Sequence, residues 1–252
     1  MAEARRSALD RARVGVVVGA GARAGVGGAL CRKLAREGLA VVVAGRTPEK
    51  LAALGADVEA EGGRFEGVVA DTTRSEDVKR IFDAADSLGG APELTVYNAG
   101  NNRFAPLLEM DEAFFEGLWR LCAFGAFLVG QEVARRVVPA GGGTLVFTGA
   151  TASLRARPPF TAFASAKAAE RALAHGMARE FGPQGLHVAH AIIDGVIDGD
   201  QVNSRFPQLK EQRGDDGMLD PHAIADAYWQ LHVQPRSAWS LEIDLRPYKE
   251  SF

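Results

Sequence analysis

Arg13-Val14-Gly15-Val16-Val17-Val18-Gly19-Ala20-Gly21-Ala22-Arg23-Ala24-Gly25-Val26-Gly27 decides the fold of this chain. Up to Gly19 it is a near-continuous β-branched run, the composition of a strand buried on both faces. Beyond it, Gly21, Gly25 and Gly27 sit where a chain must turn tightly, and an amphipathic stretch from Val26 to Glu37 follows. That order puts free backbone N–H groups at a helix N-terminus, which favours anions, and lets the backbone approach a pyrophosphate. A glycine-rich turn alone is an ordinary tight turn. Strand before and helix after make Gly21, Arg23, Gly25, Val26 and Gly27 candidates for holding a dinucleotide.

Working outward, the same alternation repeats. Strands are expected at Arg13 to Gly19, Leu39 to Gly45, Arg64 to Ala70, Glu93 to Tyr97, Gly143 to Thr148 and Leu186 to Ile193. Helices are expected at Val26 to Glu37, Pro48 to Glu61, Ser75 to Leu88, Asp111 to Val138 and Phe160 to Phe181. A last helix near Pro221 to His232 and a strand near Trp239 to Leu245 complete the pattern, and the polar run Gly199 to Leu219 reads as a loop. Thr47 and Thr72 stand where helix caps are expected, with Pro48 in a first turn and Gly38 after a last one. The expected fold is α/β: one Rossmann-type, doubly wound parallel sheet of about seven strands over residues 1–252, with ligand at the strands' carboxyl ends.

The 252 residues are 47% hydrophobic, enough for one large core. The net charge of -3 comes from 29 basic and 32 acidic side chains in short alternating groups, which gives no footprint for nucleic acid and points to a small-molecule substrate. Cys31 and Cys122 are too few for a disulfide framework and read as core thiols in a reducing compartment. The stretch Met1 to Arg13 lacks an apolar segment, and no apolar run is expected to reach the ~20 residues of a membrane helix. The expectation is a cytoplasmic protein without a membrane partner.

At the end of the second strand, where an acidic residue would hold the ribose hydroxyl of NAD, the chain has Ala44-Gly45-Arg46-Thr47. The cationic fork of Arg46 suits a phosphate, which favours NADP(H) over NAD(H). Arg23 either adds charge near that phosphate or is a solvated loop residue. Asp71 can accept from an adenine amino group or simply form a turn, and Asn98, Ala99 and Gly100 would let the backbone lie against a ribose. His175, His187 and His190 lack metal-ligand spacing, so no metal is expected.

With Gly21-x3-Gly25-x-Gly27, Asp71, Asn98-Ala99-Gly100 and Lys167 on the page, the chain closely resembles the short-chain dehydrogenase/reductase family over nearly its full length. The resemblance implies a nicotinamide cofactor, hydride transfer between an alcohol and a carbonyl, and homodimers or homotetramers packed through two long helices. It also implies a reaction run by Asn, Ser, Tyr and Lys. Four residues before Lys167, the tyrosine position holds Phe163; the serine position holds Ala150 and the asparagine position Cys122. Lys167 remains, and can hold nicotinamide ribose hydroxyls with its donors. After the sixth strand, where the family often has Pro-Gly and a threonine, this chain has Asp194-Gly195-Val196-Ile197, and Gly195 and Ile197 can still meet a carboxamide.

Thr151 and Ser153 are the hydroxyls that can replace the missing donor, or can satisfy local backbone instead. Asp194 reads as a base or a turn residue, and Arg155 and Arg157 as anion ligands or solvated arginines. Losing a positioned acid or base costs roughly 10²- to 10⁴-fold in rate. Three functions therefore stay open: an NADP(H)-dependent oxidoreductase with an atypical active site, a non-redox lyase or isomerase on the same fold, and a catalytically silent nucleotide-binding partner or sensor.

Overall fold

The valine runs form the central strands. The computed structural model describes residues 12–250, so most of the charged N-terminal stretch lies outside the described residues. The elements run β1 (Val14–Val18), α1 (Val26–Arg36), β2 (Ala40–Gly45), α2 (Pro48–Ala60), β3 (Phe65–Val69), α3 (Ser75–Leu88) and β4 (Leu94–Tyr97). Then come α4 (Glu112–Val137), β5 (Gly143–Thr148), α5 (Thr161–Phe181), β6 (Leu186–Ile193), α6 (Asp200–Arg205), α7 (Leu209–Arg213), α8 (Pro221–His232) and β7 (Glu242–Leu245). The seven strands pair in parallel in the order β3-β2-β1-β4-β5-β6-β7. Val16 lies opposite both Val42 and Thr95, so the order reverses between β1 and β4, and that switch point is where open α/β sheets keep a crevice.

Each face of the sheet has its own core. One packs Leu30 and Leu34 of α1, Val41, Val43, Val96 and Val146 against Tyr228 and Leu231 of α8. The other packs Val16, Val18 and Val42 with Ile81 and Phe82 of α3, Val129 and Val133 of α4, and Met177 of α5. Strands buried on both sides have no polar face, which is why β1 and β2 read as unbroken apolar runs.

Several local expectations are corrected. Thr47 occupies the residue before α2 but makes no capping bond with its side chain. Thr72 is buried and caps nothing; Asp71 Oδ1 instead accepts from the Thr73 N–H at 2.9 Å and its hydroxyl at 2.8 Å, an Asx-type turn before α3. The run 199–219 contains two short helices, α6 and α7, too brief for any periodicity to show in sequence. Asn203 donates to Asp198 at 2.8 Å and Lys210 pairs with Asp198 at 2.6 Å, which ties both helices to one loop carboxylate.

The long helix departs twice from expectation. Contrary to the membrane reading, Glu112–Val137 is, at 26 residues with an 18-residue window of mean hydropathy 1.4, long and apolar enough to cross a bilayer by length and composition. Its apolar stripe Leu118, Cys122, Ala126, Val129 and Val133 is buried inside the protein, while Phe115, Trp119 and Phe127 on other sides of the helix are exposed. Its turn Arg120–Phe124 is π-helical. There Tyr97 donates its hydroxyl to the Leu121 carbonyl, and such insertion of a side-chain donor into the ladder is a recognised cause of widened turns.

Candidate functional site

A cavity of about 920 Å³ lies at the carboxyl ends of the strands, lined by the residues that leave β1 through β6. At its nucleotide end the glycine loop has no room for a side chain at Gly19 or Gly27. A Cβ on Gly19 (φ 89°) would lie 2.5 Å from the Ala99 backbone, and one on Gly27 would lie 2.0 Å from the Ala20 carbonyl oxygen. Asn98 Nδ2 donates to the Gly19 carbonyl at 2.8 Å, so its side chain holds the loop in shape, with Ala99 buried against it. Gly21, Gly25, Val26 and Gly27 line the cavity, and Val26 opens α1, whose first-turn N–H groups lack helical partners. Such a cradle, emptied of side chains at a helix start, fits the pyrophosphate of a dinucleotide.

Arg46 and Asp71 also line the cavity, and Arg46 makes no ion pair with another described residue. Arg23 is placed elsewhere. Its guanidinium forms a two-pronged pair with Asp57 of α2, Nε to Oδ2 at 2.7 Å, and does not line the cavity. Asp57 thereby stays below its usual carboxylate range, and a planar fork already matched to a carboxylate is not free for a phosphate. Sequence reasoning missed Asp200, whose N–H donates to the Ala24 carbonyl at 2.8 Å while its Oδ2 accepts from the Ala24 N–H at 3.0 Å. These bonds pin the start of α6 on the glycine loop, and Gly199 makes this possible, since a Cβ there would lie 2.8 Å from the Ala24 oxygen. Gly195 and Ile197 line the wall nearby, Ile197 bridging to Leu219.

At the other end Lys167, one turn along α5 from Phe163, is buried. Its Nζ donates to the Thr148 carbonyl at 2.7 Å and to both oxygens of Glu170, at 3.1 and 2.9 Å. All three ammonium donors are engaged, so the ribose role expected for Lys167 requires one of these bonds to be given up. Glu170 is fully buried, and burial pushes its carboxyl up to about 7 against the pull of Lys167. Burial is the strongest single influence and works to lower the lysine, yet the charges of Glu170 and Cys122 and the Glu170 hydrogen bond together leave the ammonium raised. The only sequence signal for this pair was a glutamate three residues after the lysine, on the helix face that Phe163 also shares.

Phe163 packs with Cys122 and Ala166, with Ala150 and Ala152 against them. The fold therefore brings together Phe163, Ala150 and Cys122, the residues at the tyrosine, serine and asparagine positions, and they form an apolar cluster beside the lysine. Burial pushes the Cys122 thiol up, although Lys167 pulls the other way. Ser153 is corrected: it is buried, does not line the cavity, and its Oγ accepts from the Ala150 N–H at 3.1 Å, a local backbone duty. Thr151 does line the cavity, and its hydroxyl donates to Asp194 Oδ1. Asp194, 5% exposed, also pairs with Arg246 at 3.1 Å and Arg155 at 3.5 Å, so it is an anchored carboxylate behind Thr151. The histidines stand apart: His190 lies 2.9 Å and His175 3.2 Å from Glu242, while His187 stacks on Trp239.

Residues 15–210 match the family model described as short chain dehydrogenase. The chain is 33% identical over 208 residues to the A-factor type gamma-butyrolactone 1'-reductase (1S-forming) of Streptomyces virginiae, covering 81% of this chain and 79% of that one. Among solved structures, a short-chain dehydrogenase from Rhodopseudomonas palustris is 39% identical with a TM-score of 0.79, covering 94% of this chain and 99% of the other. A gluconate 5-dehydrogenase from Burkholderia cenocepacia J2315, in complex with NADP and tartrate, is 26% identical with a TM-score of 0.80, covering 95% and 97%.

Proposed function

The chain belongs to the short-chain dehydrogenase family, and we propose that it is an NADP(H)-dependent oxidoreductase that interconverts an alcohol and a carbonyl without the family's usual hydroxyl donors. A bound nicotinamide cofactor supplies or accepts the hydride. Val26, Gly27 and the glycine loop hold its pyrophosphate, and Arg46 the phosphate that distinguishes NADP from NAD. Lys167, buried and paired with Glu170, lines the cavity beside Gly100.

The observation that carries the reading is the contact of Thr151 with Asp194 at the cavity wall, next to an apolar cluster that can move no proton. Since Thr151 donates to Asp194, its oxygen is left to accept. In the oxidative direction the substrate hydroxyl gives its proton to Thr151 Oγ1 as the threonine proton passes to Asp194 Oδ1; in reduction both transfers reverse. Arg155 at 3.5 Å and Arg246 at 3.1 Å hold the Asp194 carboxylate in place behind Thr151. Cytoplasmic location and assembly into homodimers or homotetramers belong to the same proposal, the two buried free thiols fitting a reducing compartment.

The test uses NADPH deuterated at nicotinamide C4 with a panel of aldehydes and ketones, reading deuterium in the product by mass spectrometry. Transfer that falls about 10²-fold or more in both Thr151→Val and Asp194→Asn, with NADPH affinity kept, is expected. NADPH binding without transfer to any member would refute the oxidoreductase. The apolar cluster of Cys122, Phe163 and Ala150 favours a second reading, a nucleotide-binding protein without turnover, and that outcome would support it.

A further inference from the structure

Beyond the glycine loop the lining of the cavity is unbalanced in charge. Apolar side chains make the walls: Phe104, Phe160, Phe163, Phe206, Leu121 and Leu209. Phe104 and Phe160 contact each other with ring centroids 5.2 Å apart, and the Ala105 N–H donates to the Pro159 carbonyl at 3.2 Å, so the loops after β4 and β5 form one surface. Among these rings lie three guanidinium groups, Arg155 and Arg157 from the segment before α5 and Arg205 from the end of α6. The carboxylates among the lining residues are Asp71 and Asp200, the first at the exit of β3 and the second bonded to the glycine loop.

Arginines elsewhere in the chain are mostly compensated. Arg13, Arg23, Arg36, Arg80, Arg136 and Arg171 each have a carboxylate partner. Arg157 and Arg205 make no ion pair with another described residue, and Arg155 shares Asp194 with Arg246 at the long distance of 3.5 Å. Arg157 and Arg205 are exposed and line the cavity from separate segments, so both guanidinium groups are accessible to an anion that enters it. A guanidinium presents a planar fork that suits a carboxylate or sulfonate and stacks on aromatic faces.

We propose that this end of the cavity takes a small aromatic or alicyclic substrate with one carboxylate or sulfonate besides its carbonyl or alcohol, the anion held by Arg157 and Arg205 and the ring by the phenylalanine walls. The proposal rests on the reading of the cavity as a substrate site, yet it is tested without turnover. Because Arg205 sits on α6, whose other end is pinned to the glycine loop, the anion also joins that helix to the body of the protein.

The experiment is calorimetric titration of NADP+-saturated protein with 4-acetylbenzoate, cyclohexanone-4-carboxylate and their neutral amides, at low and high salt. The ketone with oxidised cofactor forms a complex that cannot react, so a failure of hydride transfer and a failure of anion recognition are separable. The anions are expected to bind about tenfold or more tightly than the amides, with the advantage shrinking in salt. Arg157→Gln and Arg205→Gln should each remove about tenfold from the anions and leave the amides within about twofold. Arg120→Gln, outside the cavity, should change neither. Equal affinity of anion and amide, an anion advantage indifferent to both variants, or no binding of either anion at millimolar concentration would overturn the proposal. So would anion binding that disappears when NADP+ saturates, since the site would then be that of a nucleotide phosphate.

Discussion

Replacing Glu170 by leucine should destabilise the protein by about 3–5 kcal/mol, because it leaves the Lys167 ammonium buried with the Thr148 carbonyl as its remaining partner. The size follows from burial: the lysine is 4% exposed and the glutamate 0%, so water cannot replace the lost carboxylate. Against a total stability of about 5–15 kcal/mol for a domain of this kind, the loss is readily measured by urea unfolding with linear extrapolation. Lys167→Met leaves the opposite charge, and Glu170 can escape by protonating. Its carboxyl already lies up at about 7, and without the cation it rises further, so this variant's penalty should shrink as pH falls from 8 to 6. The double variant Lys167→Met/Glu170→Leu removes both charges and should recover to within about 2 kcal/mol of the parent, giving a large coupling in the double-mutant cycle. A loss below about 1 kcal/mol for Glu170→Leu, or additive single effects, would refute the buried ion pair as the element that holds Lys167.

Arg46→Ala should weaken NADP+ by about tenfold at physiological salt while leaving NAD+ within about threefold, by calorimetry; equal losses would remove Arg46 from phosphate recognition. Gly27→Ala forces a Cβ to 2.0 Å from the Ala20 oxygen, a backbone atom that cannot swing away, so a loss of about 1–3 kcal/mol together with loss of NADPH fluorescence enhancement is expected. Stability should fall in acid in two overlapping stages. Burial lowers His190 to about 4 from an ordinary 6.5, so the unfolded chain binds its proton first and stability declines as pH drops from about 6.5 to 4. Glu242, held down to about 2 by Arg171 and its histidine neighbours, contributes stability above pH 4.5 that is lost between about 4.5 and 2. In urea midpoints against pH, His190→Gln should flatten the first stage, and an unchanged slope would rule out His190 as its source.

The glycine spacing, the valine runs and the Pro and Gly punctuation fix backbone conformation locally, and from them the alternation of strand and helix, the loop at Gly21 to Gly27 and the helix Pro221–His232 could all be read. Counting four back from Lys167 found Phe163, because residues one helical turn apart share a face whatever the rest of the chain does, while Ala150 came from its spacing before Phe163 and Cys122 from its spacing before Gly125. What stayed hidden depended on partners far away in sequence. Arg23 looked like a phosphate ligand until the fold placed Asp57 of the next helix beside it, and Ser153 looked like a donor until its turn pointed the hydroxyl at the Ala150 amide. The π-helical turn in α4 needs Tyr97 to reach the Leu121 carbonyl across 24 residues, and the Thr151–Asp194 contact spans 43. Sequence by itself determined the scaffold and the nucleotide cradle, since both are written in backbone geometry that neighbouring residues dictate. Tertiary structure alone decided which charged groups are spent on each other and which, such as Arg157 and Arg205, are left facing the cavity, since ion pairing is settled by proximity after the chain has folded.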